Sequence, residues 1–265
     1  MKRMILAGLL SIAAGVSGLV AQQPPAKKDA PAAQKGPGVK SQAEGQAVQA
    51  MFTAMQSRDP DATIKAAEDL LSKYADSDFK EIALVMEATA YQQKGDSVKA
   101  QIFAERVLGV NPKNVQASLM LGELIAQGTR ENDLDKEEKL NKAEKYLNDT
   151  IANAKTMEKP SPQIPDAQWE EQKKFVTAEA ENDLGLAAMS RKKMDVAVAD
   201  FKAAVDLDPQ PAYQVRLASA LQSTGKNDEA IAIVDKLLAD PQLHPQIKAV
   251  ATQVKTAATA AKGGK

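Results

Sequence analysis

Residues 182–209 contain the plainest structural signal in the chain: NDLGLAAMSRKKMDVAVADFKAAVDLDP. Apolar and small residues recur every three or four positions, first over Leu184–Ala188 and then over Ala197–Ala204. The lysines Lys192 and Lys193 separate the two groups. Such spacing places the apolar side chains on one face of each of two helices. These residues therefore predict a helix, a turn and a second helix that pack against each other.

The same order of helix, turn and helix recurs on both sides of this segment. Phe79–Pro112 and Tyr213–Pro241 both show it, with Gly95 and Gly225 at the respective turns. Glycine favours a turn there because it adopts backbone conformations that other residues avoid. The chain is therefore predicted to repeat one helical unit several times.

The length of the repeating unit can be measured at a small residue early in each second helix. These landmarks are Ala66, Ala100, Ala143, Ala197 and Ala230, at intervals of 34, 43, 54 and 33 residues. The two long intervals indicate the same unit with insertions. A period near 34 residues is typical of helix–turn–helix units stacked into a solenoid.

This pattern resembles the tetratricopeptide repeat (TPR) family over roughly Gly45–Pro241. The resemblance implies an all-α fold, an α-solenoid of about five antiparallel helix pairs in a right-handed superhelix with a C-terminal capping helix. We expect that capping helix at Ile247–Ala261. Small residues such as Gly185 and Ala197 let paired helices cross closely. The Asn-Pro and Asp-Pro pairs that punctuate the repeats suit the start of a helix.

The N-terminus has the layout of a secretory signal peptide. A basic start at Lys2 and Arg3 precedes an apolar run, Met4–Val20, and cleavage is expected near Ala21. The run is shorter than a helix needs to cross a bilayer core of about 30 Å. We therefore expect an exported protein, periplasmic or secreted, with no transmembrane span after cleavage. The predicted organisation is a signal peptide at 1–21, a disordered Pro/Ala/Lys-rich linker at 22–43, the repeat domain at 44–261 and a disordered tail at 262–265.

Composition excludes several functions. The chain has no cysteine and one histidine, so neither a disulfide framework nor a multi-histidine metal centre can form. The balance of 34 basic and 35 acidic residues gives no footprint for nucleic acid. Asp133–Glu138 resembles a calcium loop but has Glu138 where the loop needs glycine, so a solvated charged turn is the preferred interpretation. His244, next to Pro245, is interpreted as a turn residue.

We accordingly predict no enzyme, no catalytic residue, no cofactor and no metal. Paired carboxylates such as Glu170 and Glu171 are better explained as solvated helix faces. An enzyme of unrecognised type would need a pocket with strongly perturbed carboxylate pKa values.

The resemblance implies that the first helices of the repeats line a concave surface that binds extended peptides or partner helices. The residues expected on that surface are Met86, Thr89, Met120, Glu123, Asn182, Leu186, Arg216 and Ser219. Methionines suit an adaptable contact surface, although methionine at helical spacing also fills cores. Only Asn182 and Arg216 have the chemistry of a clamp for a C-terminal carboxylate, so such a clamp is not expected.

The function that follows is a non-catalytic scaffold of a bacterial cell envelope, binding a protein or peptide partner. The alternative is a structural component that self-assembles into a homo-oligomer or docks to an outer-membrane complex. Two insertions, Gly128–Leu140 and Thr156–Pro165, are further candidates for function because loops tolerate variation.

Overall fold

The computed structural model describes residues 37–263, which form eleven α-helices and, within that range, no β-strand. The helices divide into two compact units, residues 37–112 with 159–163 and residues 113–158 with 164–263. The all-α prediction is confirmed. The predicted signal peptide and most of the predicted linker lie outside the described residues.

Unit 1 is built from four helices in which sequence neighbours pack together. They are α1 (Gln42–Gln56), α2 (Pro60–Lys73), α3 (Lys80–Gln93) and α4 (Ser97–Val110). The α1 helix begins where the Ser41 hydroxyl accepts the N–H of Glu44 at 3.1 Å. Asp59 caps α2 in the same way, accepting the N–H of Asp61 at 2.9 Å. Such caps satisfy backbone donors that a helix leaves unpaired at its start. They fix the starts of α1 and α2.

Unit 2 contains seven helices, again with sequence neighbours in contact. They are α5 (Val115–Gly128), α6 (Lys136–Thr156), α7 (Asp166–Ser190), α8 (Met194–Leu207), α9 (Pro211–Ser223), α10 (Asn227–Leu238) and α11 (Pro245–Gly263). The α7 helix begins at Asp166, directly after the insertion Thr156–Pro165, which contains three prolines. The α11 helix packs on α9 and α10 and buries Ala251, Val254 and Ala258, as expected of a cap. It includes Lys262 and Gly263, the first two residues of the predicted tail.

Four turns between paired helices each contain one residue in the left-handed backbone conformation. These residues are Arg58 (φ 59°), Gly95 (φ 74°), Lys192 (φ 60°) and Gly225 (φ 79°). After the left-handed Gly95, the N–H of Asp96 donates to the carbonyl of Tyr91 at 3.0 Å. This is the Schellman closure of a helix C-terminus. The left-handed residue therefore marks the same position in four helix pairs and aligns them independently of side-chain type.

That alignment corrects the landmark used for the first helix pair. Ala100 and Ala197 each lie five residues after their left-handed residue, and the position five after Arg58 is Thr63, not Ala66. Thr63 is buried, whereas Ala66 is only half-buried. A shift of three residues turns a helix face by only about 60°, which is why the incorrect assignment still looked periodic.

Helix crossings pair a glycine with a large side chain. A Cβ added to Gly185 would lie 2.6 Å from a ring carbon of Phe201, and one added to Gly122 would lie 2.5 Å from the side chain of Leu147. Phe201 and Leu147 are both fully buried. The expectation that small residues permit close crossing is therefore right, but the space at these two glycines is filled by a bulky neighbour.

The proline pairs mostly end helices, contrary to expectation. Asn111 and Asp208 are extended C-cap residues of α4 and α8, each followed by proline. Proline disfavours helical backbone in the residue before it, so the helix must stop there. At Asp59–Pro60 the expected arrangement holds, since Asp59 caps α2 and Pro60 is its first residue.

Candidate interaction surface

Three of the eight predicted contact residues are buried. Met86 is 2% exposed, Met120 6% and Asn182 4%, so the expectation that they lie on an exposed face is wrong. Met86 belongs to the core of unit 1, together with Val48 and Leu70. The cause is that α3 packs against both α2 and α4, which covers most of its circumference. The alternative interpretation of these methionines, as core residues, is the one that their burial supports.

The other five predicted residues remain partly accessible: Thr89, Glu123, Leu186, Arg216 and Ser219. Thr89 lies on α3 in unit 1. The remaining four lie on the first helices of unit 2, namely α5, α7 and α9, and we call Glu123, Leu186, Arg216 and Ser219 the first-helix face. The α5 and α7 helices are in direct contact. Partner binding by these residues stays a prediction.

A polar network joins α7 to α9 at this face. Arg216 donates from Nη1 to Oδ1 of Asn182 at 2.6 Å. Asn182 in turn donates from Nδ2 to Oδ1 of Asp183 at 3.0 Å. Because Asn182 and Asp183 are buried, these hydrogen bonds are shielded from competing water. Asn182 thus holds the partly accessible Arg216 in place from a buried position.

Negative charge surrounds the buried hydroxyl of Tyr213, close to Arg216 on α9. Tyr213, one turn earlier on α9, is buried, and burial raises the pKa of its hydroxyl far above the usual value. The carboxylates of Glu179, Asp208 and Asp183 raise this pKa further, in that order, and Arg216 lowers it. Of these three carboxylates Asp183 is buried, whereas Glu179 and Asp208 are partly accessible.

The first insertion is held by an arginine that the sequence interpretation overlooked. Arg191, at the C-terminus of α7, donates to Oε2 of Glu137 at 2.8 Å, to Oδ1 of Asn141 at 2.7 Å and to Glu144. Its side chain is only 4% exposed. Burial with three partners identifies Arg191 as the residue that fixes the start of α6 against the α7–α8 turn. Its position just before the turn was the available sequence signal.

The acidic residues of that insertion form ion pairs within the protein. Asp133 pairs with Lys139 at 2.9 Å, and Glu131 with Lys136 at 2.7 Å. Lys139 lies close to Asp133 and holds the pKa of that carboxyl below its usual value. No cluster of three or more potential metal-ligating side chains occurs in residues 37–263. The arrangement is that of a charged turn with internal partners.

The second insertion and the histidine also have structural partners. Trp169 is buried and donates from Nε1 to the carbonyl of Met157 at 3.1 Å, which ties the end of α6 to α7. His244 accepts the N–H of Gln246 at 3.3 Å on Nδ1, at the start of α11. Both contacts are local and close a turn or a helix end.

Helices that pack on their sequence neighbours, pair after pair, are the architecture of a helical-repeat protein. Residues 182–246 match the tetratricopeptide repeat family. This match covers α8, α9 and α10 with the end of α7 and the start of α11. It includes the face where Arg216 and Asn182 meet.

Solved structures agree with this fold over most of the chain. TTC0263, a thermophilic TPR protein from Thermus thermophilus, is 19% identical, covers 80% of this chain and 98% of its own, and has a TM-score of 0.53. MamA from Desulfovibrio magneticus RS-1, from residue 41 to its end, is 16% identical, covers 75% and 94%, and has a TM-score of 0.56. PilW, a type IV pilus biogenesis factor, is 17% identical, covers 84% and 92%, and has a TM-score of 0.55. These likenesses show the fold alone.

No curated protein sequence matches this chain significantly. Within residues 37–263, no helix has both the length and the apolar character that a membrane span requires.

Proposed function

We propose that the protein is a non-catalytic scaffold that binds a protein or peptide partner on the first-helix face of unit 2. The observation that carries the proposal is the junction of α7 and α9, where a buried Asn182 orients Arg216 beside the partly accessible Ser219. Such a preset surface lowers the ordering cost of binding. TPR structures, including a pilus biogenesis factor among those similar in fold, support a role in protein interaction.

The chemistry of the face suggests a partner segment with basic and apolar side chains. The partly accessible carboxylates Glu179 and Asp208 give this region negative charge, which favours lysine or arginine in the partner and raises the association rate. Leu186 is half-buried against the core of α8–α11 and offers a small, firmly seated apolar contact. A few anchors of this kind supply most of the affinity of an interface.

The proposed location is the bacterial cell envelope, reached by export after removal of residues 1–21. The supporting observation is the basic start, apolar run and Ala21 of the sequence. Fractionation of cells and N-terminal sequencing of the mature chain test this directly. A cytoplasmic chain that retains Met1 would contradict it.

The binding proposal is tested by crosslinking in the native cells. The full chain with a C-terminal tag is crosslinked, purified and analysed by mass spectrometry, in the original form and as Ser219→Arg. The matched control is Ala232→Arg, which adds the same charge at an exposed position on α10. We expect one envelope protein to be recovered with the original and the control chains and lost with Ser219→Arg. Equal recovery with both variants would contradict the proposed face.

Circular dichroism and thermal unfolding must first show that Ser219→Arg leaves the fold intact. Met120→Asp is unsuitable as a binding variant because Met120 is buried and the change would unfold unit 2. Leu186→Asp is informative only if its unfolding midpoint matches that of the original chain.

A structural role is the second candidate function, and α4 provides the observation that favours it. Val98 is 70% exposed and Ile102 50% exposed on the side of α4 opposite its buried Ala100 and Ala104. Exposed apolar residues on one helix face suit self-association or docking to an envelope complex. The molecular mass in dilute solution tests self-association: a stable oligomer that Ile102→Lys dissociates supports it, and a monomer at all concentrations contradicts it.

A further inference from the structure

A buried carboxylate sits without a hydrogen bond in the middle of unit 1. Glu87 lies on α3, which packs between α2 and α4. Its residue surface is 1% exposed, and neither Oε1 nor Oε2 has a hydrogen-bond partner within the described part of the chain. An ionised carboxylate in such a position is strongly disfavoured unless its charge is compensated.

The equivalent position in the other repeats is apolar. Glu87 lies eight residues before the left-handed Gly95, and the residues eight before Lys192 and Gly225 are Leu184 and Leu217. All three are buried. Eight residues before Arg58 stands Ala50, which is exposed, so three of the four aligned pairs bury this position. Of these three, the α3–α4 pair buries an acid where the other two bury leucine.

The charges on the neighbouring helices compensate Glu87 only in part. Arg106 on α4 attracts the carboxylate, and Glu68 on α2 repels it. The guanidinium of Arg106 lies over the ring of Phe103, 4.8 Å from its centroid, and does not hydrogen-bond to Glu87. Burial outweighs the attraction to Arg106 and raises the pKa of Glu87 to about 7.

We propose that Glu87 is a proton-binding site that couples the stability of unit 1 to pH. Both carboxylate oxygens are covered by protein, so a proton is the ligand that can arrive without separating the helices. Protonation replaces a buried charge by a neutral acid, which is much less costly to bury. Unit 1 is therefore more firmly closed in mildly acidic medium than above neutral pH.

The direction of the effect follows from proton linkage. In the unfolded chain the pKa of Glu87 is 4.5, and in the folded chain it is about 7. Between these values the folded state binds more protons, so the stability of unit 1 rises as the pH falls from 7 towards 4.5. Above pH 7 both states are ionised and the full burden of the buried charge remains.

Hydrogen exchange with mass spectrometry on the full chain separates this effect from others. In unit 2, burial and the nearby Glu181 and Glu144 raise the pKa of Asp200 to about 6, so a measurement averaged over the whole chain would mix two sites. Exchange of peptides from α2–α4 is compared at pH 5.5 and 8, after correction for intrinsic exchange rates. We expect the equilibrium constant for opening of these helices to be about tenfold or more smaller at pH 5.5 than at pH 8.

Two variants decide the outcome. In Glu87→Leu and in the near-isosteric Glu87→Gln, protection of α2–α4 should no longer differ between the two pH values. The matched control Asp69→Asn, which removes an exposed acid from α2 that does not shift the pKa of Glu87, should retain the difference. Loss of the difference in either variant at position 87 supports the proposal, even if the other variant misfolds. A flat response in the original chain, or an unchanged pH difference in the folded variants, overturns it.

Discussion

The α3–α4 pair of unit 1 and the α7–α8 pair of unit 2 share one backbone plan but differ in side-chain chemistry. Glu87 and Leu184 occupy the same buried position. Lys94 and Arg191 each lie directly before the left-handed residue of their helix pair. Each forms an ion pair with the helix that precedes its own pair, Lys94 with α2 and Arg191 with α6. The Lys94 pair with Asp61 is exposed, whereas Arg191 is buried with three partners. A repeat thus fixes the course of the chain, while individual side chains set the stability and pH response of each unit.

Transferring the acid of unit 1 into unit 2 is expected to have the largest effect. Leu184→Glu would bury a carboxylate among apolar neighbours such as Leu119 and Val176, at a cost of about 3 kcal/mol or more at pH 8. At pH 5.5 the loss should be smaller because the acid can protonate. Urea unfolding followed by the fluorescence of Trp169, which lies on α7, measures both values.

Leu184→Met is the control for this change, since a swap that conserves volume usually costs less than about 1.5 kcal/mol. If Leu184→Glu lost no more than the methionine variant at pH 8, position 184 would be hydrated. The contrast with Glu87 would then have no energetic meaning.

The glycine at the α7–α8 crossing offers the next largest effect. In Gly185→Ala the new Cβ would stand 2.6, 2.7 and 2.9 Å from ring carbons of Phe201. The ring is fully buried, so overpacking should destabilise unit 2 by about 2 kcal/mol. The change in the urea midpoint of Trp169 fluorescence measures this loss.

Gly109→Ala is the matched control in unit 1, because Gly109 lies in α4 with nothing within 4 Å of the added Cβ. Alanine has the higher helix propensity, so this variant should gain about 0.5 kcal/mol. The double variant Gly185→Ala/Phe201→Leu should recover part of the stability that Gly185→Ala loses. A neutral Gly185→Ala would mean that the two helices separate without strain.

The fold was largely predictable from sequence because helical period and turn glycines are local signals. The start of α7 at Asp166 follows from the prolines before it. The turns predicted at Gly95 and Gly225 are present, and both glycines adopt the left-handed conformation that favours glycine. The first pair was misaligned at Ala66 because its left-handed residue is an arginine, Arg58, whose backbone conformation leaves no compositional trace.

The candidate site was less predictable, since periodicity does not say which face of a helix stays open. By spacing alone, Met86 and Met120 fit a contact face and a core face equally well. Packing against neighbouring helices buries both of them in the core. Arg191 sat in a run of basic residues that looks solvated. Glu87 would have been detectable by aligning it with Leu184 and Leu217.

Removing the buried arginine is the third test of the comparison. Arg191→Ala takes away hydrogen bonds to Glu137, Asn141 and Glu144 and should destabilise unit 2 by about 2 kcal/mol. The equivalent change in unit 1, Lys94→Ala, breaks one exposed pair and should have a much smaller effect. Thermal unfolding of both variants measures the two losses of stability. Equal effects would show that burial of Arg191 adds nothing.

The smallest expected effect concerns the left-handed residues that the two pairs place at the same turn. Lys192 has φ 60° in unit 2, where unit 1 has glycine at φ 74°. A side chain is strained in this conformation, so Lys192→Gly should stabilise unit 2 by about 0.5 kcal/mol after the larger unfolded-state freedom of glycine is subtracted. Lys192→Ala is the control, because it removes the contact with Glu131 at 3.2 Å while keeping the strain. A gain of stability with glycine but not with alanine, measured by thermal unfolding, would place the strain in the backbone. Equal changes in both variants would show that the effect comes from the lysine side chain. Lys192 and Gly95 would then not be equivalent in backbone strain.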